Sequence, residues 1–234
     1  MGGPFSAIQF MTGSAALHAM KIDVISDVVC PWCFIGRRRL GTALSLLAER
    51  EPTLHPRVSW HPFQLNPDLP REGMDRQAYL AAKFGGRERA GQIYDRVRAA
   101  GKSVGIDFAF DRIERQPNTL DAHRLISWAQ ARGRAEDVVE RLFRAYFLEG
   151  RFIGERTVLA SIAGEAGLDS IAAGTMLAAE EGAGKITAMD QRVRELGVSG
   201  VPFFIFDDRV AVSGAQEPET LVTAIMSAID GEYA

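Results

Sequence analysis

Two cysteines three residues apart are the part of this sequence with the clearest chemistry. Cys30 and Cys33 enclose a Pro-Trp pair, and the 234 residues contain no other cysteine. Thiols at this spacing can close a local disulfide with little rearrangement of the chain. A zinc site would need two further Cys or His ligands at metal spacing, but the four histidines are scattered. A purely structural disulfide would close too small a loop to stabilise much. The pair therefore indicates thiol–disulfide chemistry and no metal site.

The elements around the pair predict which thiol is reactive. Residues 21–29 are apolar and β-branched, a pattern typical of a strand buried in a mostly parallel sheet. Apolar residues then recur at helical spacing from Leu40 to Leu47, so the cysteines lie where a strand leads into a helix. Because a helix N-terminus favours an anion, the Cys30 thiolate is the expected nucleophile. Cys33, one turn further along, is the expected resolving thiol.

The rest of the chain indicates an α/β fold with a block of helices inserted into it. Between about residues 75 and 196 the apolar periodicity is helical nearly throughout. The patterns on either side of this block predict strands at 57–63, 202–206 and 209–213, and a helix from Pro218 to Gly231. The order of elements is therefore β-α-β, helical block, α-β-β-α.

Composition and charge argue against several classes of function. The formal net charge of -3 gives no electrostatic footprint for nucleic acid or an anionic membrane. No window reaches the roughly 18 apolar residues that a membrane-spanning helix requires. The first 19 residues contain no Lys or Arg, so they lack the charged region of a secretory signal. We therefore expect a cytoplasmic protein without nucleic-acid or membrane partners.

Six sequence blocks resemble the FrnE-like branch of the DsbA family of oxidoreductases. They are VISDVVCPWCFIG at 24–36, HPFQLNP at 61–67, PNTLDAHRL at 117–125, LFRAYFLEG at 142–150, GVSGVPFFIF at 197–206 and VSGAQ at 212–216. The resemblance extends over nearly all of the chain after the first 20 residues. It implies an α/β fold class, namely a thioredoxin-like fold with a large all-helical insertion.

The helical periodicity, the composition of the N-terminus and the extent of the resemblance predict a division of the chain. Residues 1–20 are expected to be a flexible N-terminal extension, or to reflect a start codon assigned too early, with the working protein beginning at Met20. The thioredoxin-like domain would comprise 21–74 and 186–234, and the inserted helical domain 75–185.

The resemblance also implies a substrate-binding surface beside the cysteines. Pro202 would be the cis-proline that faces the pair, and Val201 would offer its backbone to an extended peptide. Pro31 and Trp32, which lie between the cysteines, would form part of the rim of this surface. For Trp32, ordinary packing along the helix is an equally good interpretation.

One position departs from the family pattern. Thioredoxin and DsbA carry a buried acid six residues before the first cysteine, where this chain has Val24. Asp27 could substitute for that acid, although an acid in a loop is more often solvated or a capping group. His61 and Asn66 are expected to have local hydrogen-bonding roles, and His123 to be a packed histidine where the domains meet.

Three functions fit these observations. In a thiol–disulfide oxidoreductase, Cys30 would form a mixed disulfide with a disulfide or dithiol substrate and Cys33 would resolve it. No bound cofactor is expected, and glutathione could act as co-substrate. The related 2-hydroxychromene-2-carboxylate isomerases and kappa-class glutathione transferases suggest a glutathione-dependent alternative, but they typically have Ser at the first active-site position. The third alternative is chaperone-like binding of client proteins by the helical block, independent of the thiols. The composition of the block gives this alternative little support.

Overall fold

The structure, a computed structural model, describes residues 20–231. The expected flexible extension lies outside the described residues except for Met20, which is buried. The strands are β1 Lys21–Ser26, β2 Arg57–Pro62, β3 Met74–Asp75, β4 Arg115–Gln116, β5 Phe203–Phe206 and β6 Val210–Ser213. The helices are α1 Pro31–Arg50, α2 Arg76–Phe84, α3 Arg87–Lys102, α4 Leu120–Gln130, α5 Ala135–Phe147, α6 Arg156–Glu165, α7 Ser170–Ala178, α8 Ala183–Glu195 and α9 Pro218–Asp230.

The main sheet has four strands in the order β2-β1-β5-β6. Strand β1 is parallel to β2, but β5 is antiparallel to β1 and β6 is antiparallel to β5. The expectation of a mostly parallel sheet is therefore wrong. The short turn after β5 accounts for one of the two antiparallel pairings, because so short a connection can join only antiparallel strands. In that turn Asp207 and Asp208 have φ values of 51° and 57°, which is the left-handed backbone of mirror-image hairpin turns.

Helix α1, which carries the cysteines, packs between the thioredoxin-like elements and the inserted helices. On one side it contacts α9, whose buried residues include Leu221 and Ile225. On the other side its Phe34 ring stacks on Phe143 of α5, with ring centroids 5.0 Å apart. Most of the buried apolar residues of both parts belong to one continuous core. The helix that holds the reactive residues is thus fixed from two directions.

Arginines strengthen the attachment of α1. Arg37 and Arg38 both pair with Glu140 of α5, at 2.6 and 2.5 Å. Arg39 pairs with Glu217 at 2.6 Å, just before α9.

The predicted fold class is confirmed: a mixed sheet with helices carries a large helical insertion after β2. The boundaries at 74/75 and 185/186 stay a prediction. Strands β3 and β4 form a separate two-stranded sheet at the base of the insertion. Within residues 20–231, none of the helices has both the length and the apolarity needed to cross a membrane.

Candidate active site

The two cysteines lie on the turn that leads from β1 into α1. The Cys30 backbone N–H donates to the Asp27 carbonyl at 3.0 Å, which closes the turn after the strand. Cys30 then occupies the position that caps the helix, and Pro31 begins it, where its missing N–H costs no hydrogen bond. The Cys33 N–H donates back to the Cys30 carbonyl at 3.0 Å. This geometry places both free thiols in the first turn of α1.

The thiols differ in burial and surroundings. Cys30 is 6% exposed, and its Sγ donates to the Val201 carbonyl at 3.6 Å. Cys33 is 1% exposed. Burial, and then the neighbouring Cys30, raise the pKa of Cys33 well above its ordinary value, while the Ser26 hydroxyl and the Asp27 backbone oppose that rise. Cys33 is therefore held as a thiol, whereas Cys30 is the sulfur nearer to solvent.

The loop before β5 faces the cysteine pair. The Val201–Pro202 peptide bond is cis, and Pro202 is buried. The Pro202 carbonyl accepts the Gly214 N–H at 2.8 Å, which fixes this loop to the end of β6. A Cβ on Gly36 of α1 would lie only 2.9 Å from Pro202 Cγ, so glycine allows the helix to approach the proline ring closely.

Trp32 and Pro31 complete the surroundings of the pair. Trp32 is 38% exposed, an unusual exposure for so large an apolar ring, and Pro31 is half-buried. The structure thus brings the Val201–Pro202 loop to Cys30, and Pro31 and Trp32 follow Cys30 at the start of α1. The catalytic and substrate-binding roles given to these residues stay predictions.

Asp27 and His123 form a buried pair behind the cysteines. Asp27 is fully buried, so a solvated role for it is wrong. Its Oδ2 accepts the Leu65 N–H at 2.8 Å, and its Oδ1 lies 3.4 Å from Nε2 of His123. His123 is 4% exposed, as a packed histidine should be. This pairing could not be predicted from the sequence, because helical periodicity does not show which turn α4 will contact.

A family comparison agrees with this geometry. Residues 21–226 match the family model of the DSBA-like thioredoxin domain. The chain belongs to the DsbA-like thioredoxin family. Family membership confirms the resemblance seen in the sequence blocks and makes an oxidoreductase or isomerase role the one to examine.

Three known proteins are similar to this DsbA-like chain in sequence or fold over most of its length. A probable DsbA oxidoreductase from Streptomyces coelicolor is 30% identical, with a TM-score of 0.81 over 92% of both chains. The uncharacterized protein YwbO of Bacillus subtilis (strain 168) is 25% identical over 207 residues, 88% of this chain and 96% of YwbO. The cytosolic disulfide reductase DsbM from Pseudomonas aeruginosa shares the fold, with 19% identity and a TM-score of 0.62 over 91% of this chain and 100% of DsbM. DsbM has also been solved with GSH.

His61 and Asn66 both make hydrogen bonds in this DsbA-like domain. His61 Nε2 lies 2.7 Å from Asp23 Oδ1, the local hydrogen-bonding role expected for this histidine. Asn66 Oδ1 accepts from Lys83 at 2.9 Å and from the Tyr79 hydroxyl at 3.5 Å.

Tyr79 of α2 was missed in the sequence. Burial raises the pKa of its hydroxyl, which donates to Asn66 Oδ1 at 3.5 Å. No short motif marks such a residue, because α2 reaches the site only through the fold of the insertion.

Proposed function

We propose that this protein is a thiol–disulfide oxidoreductase in which Cys30 attacks the substrate and Cys33 resolves the mixed disulfide. The asymmetry of the two thiols carries this proposal. Cys30 caps α1 beside the Val201 carbonyl, whereas Cys33 is buried and its pKa is raised. The first step needs an accessible thiolate, and the second needs a thiol that stays protonated until the mixed disulfide has formed.

The reaction balances without a bound cofactor. The Cys30 thiolate attacks one sulfur of a substrate disulfide, and the other sulfur leaves as a thiolate and takes a proton. Cys33 then attacks Cys30 Sγ, so that the second substrate thiol leaves and a Cys30–Cys33 disulfide remains. Two electrons have passed from the cysteines to the substrate. The reverse sequence oxidises a dithiol.

Recycling requires an external thiol, because the sequence has no third cysteine to relay electrons. We propose glutathione for this role, and the support is the related fold of DsbM, which has been solved with GSH. The family generally works without a bound cofactor, so glutathione would act as a co-substrate. A cytoplasmic location, where glutathione is plentiful, stays a prediction.

The substrate surface that we propose lies between Trp32 and the Val201–Pro202 loop. An extended peptide could add to the backbone at Val201 in the manner of a strand, which would place a substrate sulfur near Cys30. The exposed Trp32 ring offers apolar contact area with little dependence on the substrate's sequence. Both features suit peptides that present a disulfide in an extended segment.

Trapping experiments test the assignment of the two cysteines. Cys33→Ser, incubated with a disulfide-containing peptide or with glutathione disulfide, should accumulate a mixed disulfide that intact-mass spectrometry detects. Cys30→Ser should form no adduct, and the unsubstituted protein should proceed to the internal disulfide. Reductase activity retained in Cys30→Ser would refute the mechanism.

The other two functions predict different results. Isomerase activity on an aromatic substrate with glutathione, retained in Cys33→Ala, would favour the glutathione-dependent isomerase. Suppression of client aggregation by the variant that lacks both cysteines would favour the chaperone-like function.

A further inference from the structure

Arg76, the first residue of α2, is a buried cation without a carboxylate partner. It is 6% exposed, and within residues 20–231 it forms no ion pair. Its Nη1 donates to Gln116 Oε1 and, at 3.4 Å, to the Tyr146 hydroxyl, and its Nη2 donates to the Tyr94 hydroxyl at 2.5 Å. These bonds use three of the five N–H groups of a guanidinium. A buried charge normally requires a partner of opposite charge, so Arg76 needs an explanation.

The groups that bind Arg76 do not supply a negative charge. Burial raises the pKa of Tyr94 and of Tyr146, although the charge of Arg76 opposes that rise. Both hydroxyls therefore stay protonated near neutral pH. Arg124, the other arginine that is buried in the described part of the chain, pairs with Asp121 at 2.7 Å. Arg76 differs from Arg124 in having only neutral partners among the described residues.

A cavity of about 170 Å³ lies against Arg76, between α2, α3 and the segment 110–113. Gln77 and Asp111, which also line it, are exposed, so the cavity is open to solvent. Its apolar wall is formed by Leu80, Ala90, Phe110 and Ile113. A cavity of roughly 150 Å³ is large enough to hold a benzene ring. This cavity therefore has room for a small organic molecule.

The cavity offers one uncompensated positive charge. Arg98 also lines it, but Arg98 pairs with Asp95 at 3.1 Å and with Asp111 at 3.4 Å. Asp111 is the acid among the described residues of the cavity wall, and this pairing balances its charge. A ligand with a single negative charge would match Arg76, whereas the second charge of a phosphate dianion would have no partner.

Gly91 leaves one wall of the cavity open. It lies inside α3, where glycine is less favourable than alanine. A Cβ built on Gly91 meets no atom within 4 Å, and the backbone there is not left-handed. Neither packing nor backbone geometry therefore requires glycine at this position. The missing side chain instead leaves room beside Arg76.

We propose that Arg76 and this cavity bind a small monocarboxylate whose apolar part is roughly the size of a benzene ring. The N–H groups of Arg76 that have no partner in the described residues would donate to the carboxylate, whose two oxygens suit the planar fork of a guanidinium. The apolar part would pack against Leu80 and Phe110. The cavity wall includes none of the residues assigned to the redox site, so the proposal does not depend on the oxidoreductase function.

Isothermal titration calorimetry with sodium benzoate at constant ionic strength tests the site. The unsubstituted protein should bind one equivalent, and Arg76→Gln should weaken binding by about 10–100-fold, the usual effect of losing hydrogen bonds to a charged group. Arg96→Gln makes the same change of charge at an exposed position of α3 outside the cavity, and it should keep the affinity. Absence of saturable binding, or equal weakening in both variants, would overturn the proposal. Benzamide or inorganic phosphate binding as tightly as benzoate would overturn the assignment of a monocarboxylate.

A second variant tests the cavity without removing the charge. In Gly91→Leu the new side chain would take up the space beside Arg76, so benzoate binding should be lost. Gly41→Leu is the matched control, because a Cβ on Gly41 of α1 also meets no atom within 4 Å, and it should bind benzoate normally. Unchanged affinity in Gly91→Leu would refute the cavity as the binding site. If Arg76→Gln does not fold, the two leucine variants decide the outcome.

Discussion

Two glycines of α1 should respond to alanine with opposite changes in stability. At Gly36 the new Cβ would lie 2.9 Å from Pro202 Cγ and 3.3 Å from Phe204 Cζ. At Gly41, on an exposed part of the same helix, no atom comes within 4 Å of the new Cβ. Comparing the two alanine variants therefore separates the effect of alanine's helix preference on stability from the effect of the contact between α1 and the Val201–Pro202 loop.

The magnitudes follow from two opposing effects. Alanine is favoured over glycine inside a helix by about 0.5–1 kcal/mol, and this gain applies at both positions. Overpacking in a core costs about 1–3 kcal/mol, and the rigid Pro202 ring cannot relieve the contact by changing rotamer. Gly36→Ala should therefore lower the free energy of unfolding by about 1 kcal/mol, whereas Gly41→Ala should raise it by about 0.5–1 kcal/mol.

Urea unfolding at equilibrium measures both changes, provided that the m-values of the variants agree. The rate of alkylation of Cys30 measures a second effect, on the surroundings of the thiol. Because α1 and the loop must move apart in Gly36→Ala, the contact between Cys30 Sγ and the Val201 carbonyl should weaken, and the alkylation rate should change. Gly41→Ala should leave that rate as it is. A Gly36→Ala protein as stable as Gly41→Ala would refute the close approach of α1 to Pro202.

Three other substitutions test separate parts of the structure. The buried Arg124 guanidinium donates to four backbone carbonyls at and beyond the end of α7. Arg124→Ala should therefore lower the free energy of unfolding, measured in urea, by about 3–5 kcal/mol. A loss below about 1 kcal/mol would contradict this structural role. Burial opposes ionisation of Asp23, but His61 and Lys21 outweigh it and lower its pKa. The resulting stability is present above the ordinary carboxyl range and is lost as pH falls through the lowered value, so Asp23→Asn should flatten the pH dependence of stability below about pH 4. Trp32→Ala should change the free energy of unfolding by less than about 0.5 kcal/mol. It should slow the reduction of peptide disulfides more than the reduction of small-molecule disulfides. An equal effect on both substrates would count against a peptide-binding rim.

The features predicted correctly from the sequence are those that neighbouring residues determine. The helix predicted from Pro218 is α9, which begins at that residue, since a proline at the first helical position loses no hydrogen bond. The strands predicted at 202–206 and 209–213 correspond to β5 and β6, which pair with each other. The two residues each of β3 and β4 are too few to show any periodicity, so those strands could not be predicted.

The parts of the site that were missed depend on contacts between distant segments. Asp27 looked like a solvated loop acid because its immediate neighbours do not show that the Leu65 loop and α4 cover it. His123 lay on an apolar helix face, and that pattern cannot indicate whether the ring meets carbon atoms or a carboxylate. The side chains of Asp27 and His123 become buried because α4 contacts the turn before Cys30. No local sequence pattern indicates this contact.

These same contacts show that the inserted helices belong to the site. They supply His123 against Asp27 of the turn before Cys30, and Phe143 and Glu140 against the helix that carries Cys33. The thioredoxin-like part fixes α1 through Pro202 and α9 on the other side. Because one apolar core runs through both parts, the position of the two thiols relative to Val201 depends on the insertion as much as on the sheet. The inserted helices therefore help to hold the cysteine pair in place, and changes in their packing should alter the surroundings of both thiols.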